Sequence, residues 1–171
     1  MNGTVNQYLS ALASEMDRKA IGPVVTAGAN LDSSQMLTSA GLAITAAAAT
    51  TVSAVTSSYA VANGTLVNIA GATVLPALSG TVNNGTYNVF CFYTDSSGNL
   101  TSEMGNAGST LGGIGFPQLP QKQVMIGFVI IHPTGTGNFV GGTTHLDDAT
   151  VIPNAIYINA VGGFDASVLI G

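Results

Sequence analysis

The stretch TYNVFCFYT, Thr86 to Thr94, decides the fold. Successive side chains of an extended strand point to opposite faces, so Tyr87, Val89, Cys91 and Tyr93 share one side and Asn88, Phe90 and Phe92 the other. Both sides are mostly apolar. A strand of this kind belongs where a sheet is covered on both faces, in the middle of a sandwich or beneath a partner. The next residues, DSSGN at 95–99, have turn composition, and LTSEM at 100–104 then returns as a strand. An antiparallel hairpin is therefore expected here.

Working outward toward the C-terminus, GNAGSTLGGIGFPQLPQK at 105–122 reads as a long loop, and loops of that length usually carry a function. VMIGFVII, Val124 to Ile131, predicts a second buried strand, ended by the His132-Pro133 step and the turn PTGTGN. FVGGTTHLDDATVI reads as loop, NAIYIN at 154–159 as the final strand, and Val161 to Gly171 as an apolar tail.

In the other direction, Pro76 and LSGTVNNGT form a connection. SYAVANGTLVNIA predicts a hairpin, because Asn63-Gly64 supplies the positive backbone dihedrals of a tight two-residue turn between strands Tyr59 to Ala62 and Thr65 to Ile69. LAITAAAATTVSAV is rich in alanine, yet its β-branched Ile44, Thr50, Thr51 and Val52 favour one or two strands over a helix.

Before Thr38 the chain changes character. Val5, Tyr8, Leu9, Leu12 and Met16 recur at three- and four-residue spacing, which predicts a helix over residues 4–18 with one apolar face, and Thr4 with Gln7 resembles a capping box. Ala20 to Leu37 reads as an extended connector, of the sort that crosses subunit boundaries in assemblies. The expected organisation is an N-terminal helix and arm over 1–37, an antiparallel β-sandwich or jelly-roll-like domain over 38–159, and an apolar tail over 160–171.

Composition narrows the function. Charged residues make up 6% of the 171-residue chain, against about 25% in an ordinary soluble domain. The surface must then consist largely of small polar and apolar groups, which associate readily. Arg18, Lys19 and Lys122 are the only basic side chains besides the two histidines, and the formal net charge is -5. No basic patch can neutralise several phosphates, so direct nucleic-acid binding is not expected. The apolar runs are too short to cross a bilayer, and no basic, apolar, cleavable leader pattern opens the sequence. Synthesis in a cytoplasm is expected, and Cys91, the single cysteine, reads as a buried spacer there.

No constellation for catalysis emerges, and no cofactor is expected. His145, Asp147 and Asp148 in THLDD are of metal-ligand type, but adjacent aspartates on an extended chain face opposite ways, and turn-forming acids are the better reading. A G-x-S-x-G elbow is absent, and the glycine pairs in LGGIG and VGGTT do not open a helix after a strand as a phosphate cradle would.

The segments VFCFYTDSSGNLTSEMG, FPQLPQKQVMIGFVIIHPTGTGNFVGGTTHLDD and IYIN, together roughly Tyr87 to Asn159, resemble structural proteins of tailed-bacteriophage particles, the head decoration or cement proteins and their virion relatives. The motifs carrying the resemblance are a hairpin ending D-x-x-G-x-L-T, a proline-containing loop, an IGxVII strand and GxFxGGTTxLD. It implies a non-enzymatic subunit, commonly a trimer, that binds the major capsid protein or other virion subunits and strengthens their contacts. The apolar residues of the two ends, Val5, Tyr8, Leu9, Leu12 and Met16 with Phe164, Val168, Leu169 and Ile170, are the expected assembly contacts. A tail or head fibre that touches the host surface is the alternative expectation, and a virion-borne hydrolase a more distant one.

Overall fold

The computed structural model describes residues 34–162. In chain order its strands are β1 (Ser34–Met36), β2 (Leu42–Ile44), β3 (Val52–Ala54), β4 (Ser58–Ala62), β5 (Thr65–Ile69), β6 (Thr73–Val74), β7 (Thr81–Val82), β8 (Asn88–Asp95), β9 (Leu100–Met104), β10 (Gln123–Ile131), β11 (Phe139–Val140) and β12 (Ala155–Asn159). A single 3-10 turn, Leu111–Gly113, interrupts the loop between β9 and β10. The fold is mainly β and sandwich-like, and every strand pairing is antiparallel.

β8 organises the molecule. It lies inside a four-stranded sheet of order β12-β10-β8-β9, and each of its residues from Asn88 to Thr94 is buried. The expected partition holds: Phe90 and Phe92 enter one apolar cluster, while Val89, Cys91 and Tyr93 enter another on the opposite face. On the inner face the sheet meets residues of the three smaller sheets, β1-β4-β5, β2-β3-β6 and β11-β7. Met36, Val52, Ala54, Ala60 and Ala62 pack there against Ile126, Val129 and Ile131, and small side chains let the layers approach closely.

Local chemistry explains most elements. The β4–β5 turn has Asn63 at φ 49° and Gly64 at φ 77°, the left-handed pair that matches the right-handed twist of a two-residue hairpin. The alanine-rich stretch forms the β2–β3 hairpin, with Leu42 opposite Ala54 and Ile44 opposite Val52. Between β8 and β9, the Asp95 carboxylate accepts hydrogen bonds from the backbone N–H groups of Ser97 (2.8 Å) and Asn99 (2.9 Å) and from the Asn99 amide (2.8 Å). This is an Asx-type closure of the loop.

Four short strands were not expected. Ser34–Met36, at the end of the segment read as a connector, is the edge strand β1 and pairs with β4 from Ser34↔Ala62 to Met36↔Ala60. Thr81–Val82, within the segment read as a connection, pairs with Phe139–Val140. Thr73–Val74 closes the β2-β3-β6 sheet. The helix expected over residues 4–18, most of the Ala20 to Leu37 arm and the tail beyond Gly162 lie outside the described residues.

Candidate functional site

The outer face of the four-stranded sheet carries the most distinctive surface. Val89, Cys91, Tyr93, Met125, Phe128 and Ile130 project from it. The loop after β9 folds back over part of this face through paired backbone hydrogen bonds. Tyr87 and Gly108 exchange N–H···O bonds of 2.8 and 2.9 Å, and Asn106 and Gly115 exchange bonds of 2.7 and 3.1 Å. The approach needs glycine: a Cβ on Gly105 would meet the Gly115 carbonyl and lie 2.7 Å from Val89 Cγ1.

Toward the β12 edge the cover stops. Leu111, Ile114, Phe116, Phe128, Ile130 and Ile158 line a groove of about 430 Å³. Phe116 and Phe128 meet edge to face, with ring centroids 5.0 Å apart. Leu111 is 53% exposed, Ile156 46% and Ile158 38%. Alternation on β12 causes this, since Ile156 pairs with Ile130 and Ile158 with Phe128, which places both isoleucines on the outer side. Beside the groove, Tyr87 stacks on His132 with centroids 3.6 Å apart and planes 13° from parallel. That pair borders a smaller cleft of about 210 Å³ with Thr134, Asn154 and Ile156.

The residues weighed for metal chemistry hold loops instead. Asp147 Oδ2 accepts from the Ala48 backbone N–H at 2.9 Å, and the Leu146 N–H donates to the Ala49 carbonyl at 2.9 Å, so the THLDD segment docks on the β2–β3 turn. Asp148 Oδ1 accepts from the Thr150 hydroxyl at 2.6 Å and the Thr150 N–H at 2.9 Å. Among the described residues no group of three or more His, Cys, Asp or Glu side chains is arranged to hold a metal ion.

These turn bonds give the fold a pH dependence. The Thr150 hydroxyl and N–H hold the Asp148 carboxyl below the usual carboxylate range, with a smaller effect from the nearby His145 charge. Hydrogen bonds from Asn99, with those of Ser97 and Gly98, do the same for Asp95. A carboxyl whose pKa is lower in the folded state contributes stability above its unfolded pKa and loses it as pH falls through the folded value. The thermal midpoint is therefore expected to change little on this account from about pH 8 to 5 and to fall below about pH 4. Replacing both Asp95 and Asp148 by Asn should flatten that acid limb.

Cys91 behaves as the sequence suggested. It is fully buried between Val89 and Tyr93 on the outer face of β8, and burial pushes its thiol up to about 12. A thiol raised in this way holds little reactive thiolate near pH 8. A thiol-specific disulfide reagent should leave the native chain unlabelled and react stoichiometrically in denaturant. Rapid labelling of native protein would show that the outer cluster opens.

The apolar residues expected at assembly contacts, Val5, Tyr8, Leu9, Leu12, Met16, Phe164, Val168, Leu169 and Ile170, lie outside the described residues. The groove was not anticipated from sequence. Its one legible sign was the apolar triplet Leu111, Ile114 and Phe116 in an otherwise glycine-rich loop. No helix among the described residues is long and apolar enough to cross a membrane. Compared with protein-family models, curated proteins and solved structures, the chain matches none of them.

Proposed function

We propose that this chain is a non-enzymatic structural subunit of a tailed-phage virion, a cement or decoration protein that binds the capsid and stabilises it. The observation that carries the reading is the apolar outer face around Leu111, Ile156 and Ile158 on a body whose only Asp, Glu, Lys or Arg side chains between residues 34 and 162 are Asp95, Glu103, Lys122, Asp147 and Asp148. Contiguous exposed apolar surface marks an interaction site, and charge is depleted at the centre of interfaces. The likeness of residues 87–159 to head decoration proteins supplies the particle. In this reading the neighbours are the major capsid protein and further copies of the chain, arranged as a trimer, and the apolar residues of both ends add to the contact. Each copy buries upward of about 1,000 Å² in a stable interface. Repetition over many copies then converts modest contacts into a tougher shell.

Binding built this way depends little on salt, because few ion pairs are there to screen. The test is to mix purified chain with empty capsids lacking it, at low and moderate salt. Cosedimentation at both salt levels, with a raised capsid rupture temperature, is the expected result. A chain that ignores the shells but adheres to host cells would fit a fibre instead and overturn the proposal.

A further inference from the structure

We propose that Asn63 is a site of spontaneous deamidation in the native chain, and that the fold protects the identical tripeptide at Asn84 from the same reaction. The chemistry is intramolecular. The backbone nitrogen of Gly64 attacks the carbonyl carbon of the Asn63 side chain, the new N–C bond closes a succinimide ring, and the side-chain amide leaves as ammonia with the proton that the Gly64 nitrogen gives up. Water then opens either carbonyl of the ring, leaving an aspartate or an isoaspartate at this position. One water is consumed and one ammonia released, with no change of oxidation state. The inference does not rest on the capsid reading.

The sequence Asn-Gly-Thr stands at residues 63–65 and again at 84–86. In both places the asparagine and the glycine are exposed, the glycine has nearly the same φ, 77° at Gly64 and 78° at Gly85, and a Cβ on it would meet nothing within 4 Å. Crowding and glycine conformation therefore do not separate the two copies. Hydrogen bonding does. The Asn84 side-chain amide donates to the Gly135 carbonyl at 2.8 Å and to the Gly137 carbonyl at 3.0 Å. The Gly85 N–H, whose nitrogen would have to attack, donates to the Pro133 carbonyl at 2.8 Å. Both reacting groups are thus held by the segment over 133–137. In the β4–β5 turn the backbone N–H of Asn63 donates to Ser34 Oγ at 3.2 Å, but neither the Asn63 side-chain amide nor the Gly64 N–H has a partner among the described residues.

Each hydrogen bond that must open before the ring can close slows the reaction by up to about tenfold. Three such bonds at Asn84 and Gly85, against none at Asn63 and Gly64, set the native rates at least about tenfold apart. The product bears on the fold. Isoaspartate adds a methylene to the backbone inside a two-residue turn whose dihedrals fix the β4–β5 register, and the new carboxylate lies next to Ser34, where the edge strand β1 pairs with β4.

Peptide mapping by mass spectrometry tests the proposal on the full-length chain, incubated at mildly alkaline pH well below its thermal midpoint. The 63 and 84 sites are read on separate peptides, and the third Asn-Gly-Thr, at residues 2–4, on its own. In the native chain deamidation at Asn63 is expected to outpace that at Asn84 by about tenfold or more. In denaturant both tripeptides are free, and the two rates are expected to converge. Asn63→Gln, whose longer side chain must close a larger ring, should remove the acidic product of that hairpin and leave Asn84 as slow as before. Equal native rates overturn the proposal, and so does a native Asn63 that stays intact while the denatured chain reacts. A rate gap that persists in denaturant also overturns it, because the cause is then the preceding residue, Ala62 against Asn83, and not the fold.

Discussion

Truncating Phe92 to alanine is expected to lower stability by about 3–5 kcal/mol, read as a shift of the urea midpoint at unchanged slope. Phe92 is fully buried at the centre of β8, paired with Ser102 on β9 and Gly127 on β10. Its ring belongs to the inner cluster, where the four-stranded sheet meets the smaller ones. Two costs add: the lost transfer of the ring from water, and a cavity that close-packed neighbours cannot collapse to fill. Single domains of this size are stable by only about 5–15 kcal/mol, so the variant should sit near the edge of folding at 37 °C. Leu66→Ala, at a side chain 64% exposed on β5, is the control and should change stability by less than about 0.5 kcal/mol. A small effect at Phe92 would mean that the inner layer is not closely packed there.

The contrast between Phe92 and its neighbours also shows what could be read from sequence. Alternation in β8 was legible because both of its faces are apolar and the strand is long enough to show the period. The Asn63-Gly64 hairpin was legible because that turn is specified by local dihedrals. β1, β6, β7 and β11 are two or three residues long, below the length at which a two-residue period can be recognised. Their existence depends on distant partners, as when Val82 meets Phe139, and such pairing leaves no local trace.

The order β12-β10-β8-β9 was likewise hidden, since edge strand and central strand differ in what covers them. β10 is buried along nearly its whole length, whereas β12 alternates and exposes Ile156 and Ile158. The groove is the same problem at larger scale. Leu111, Ile114 and Phe116 sit in a loop without period, and they meet Phe128, Ile130 and Ile158 only because Gly105, Gly108 and Gly115 let that loop lie against the sheet. The role of the THLDD acids was easier. Carboxylates of short side chains close turns on nearby N–H groups, as Asp148 does on Thr150, whereas the long-range bond of Asp147 to the Ala48 N–H has no local sign.

Gly127→Val is expected to be more damaging than its position in a regular-looking apolar strand suggests, at about 3 kcal/mol or more. β10 contains a bulge: the register with β8 runs Met125↔Tyr93 and then Gly127↔Phe92, so Ile126 is an extra residue. The bulge turns Gly127 toward the inner side, where a Cβ would run into the Ile158 carbonyl and lie 2.6 Å from Leu42 Cδ1. Leu42 can be trimmed but the carbonyl cannot, because it is part of the β12 backbone paired to β10. Leu42→Ala should therefore fail to rescue Gly127→Val, and hydrogen exchange should accelerate first along Ala155–Asn159, where the ladder is forced apart. Gly64→Ala provides the comparison. It has open space around it and a φ of 77°, so its cost is backbone strain alone, about 1 kcal/mol. Because Ile158 lines the groove and Gly127 sets its distance from Phe128, the valine should also disturb the outer face, and dye binding should rise together with the loss of stability. Rescue by Leu42→Ala would place the collision on the side chain rather than the backbone, and the bulge would then not be what fixes the edge of the outer surface.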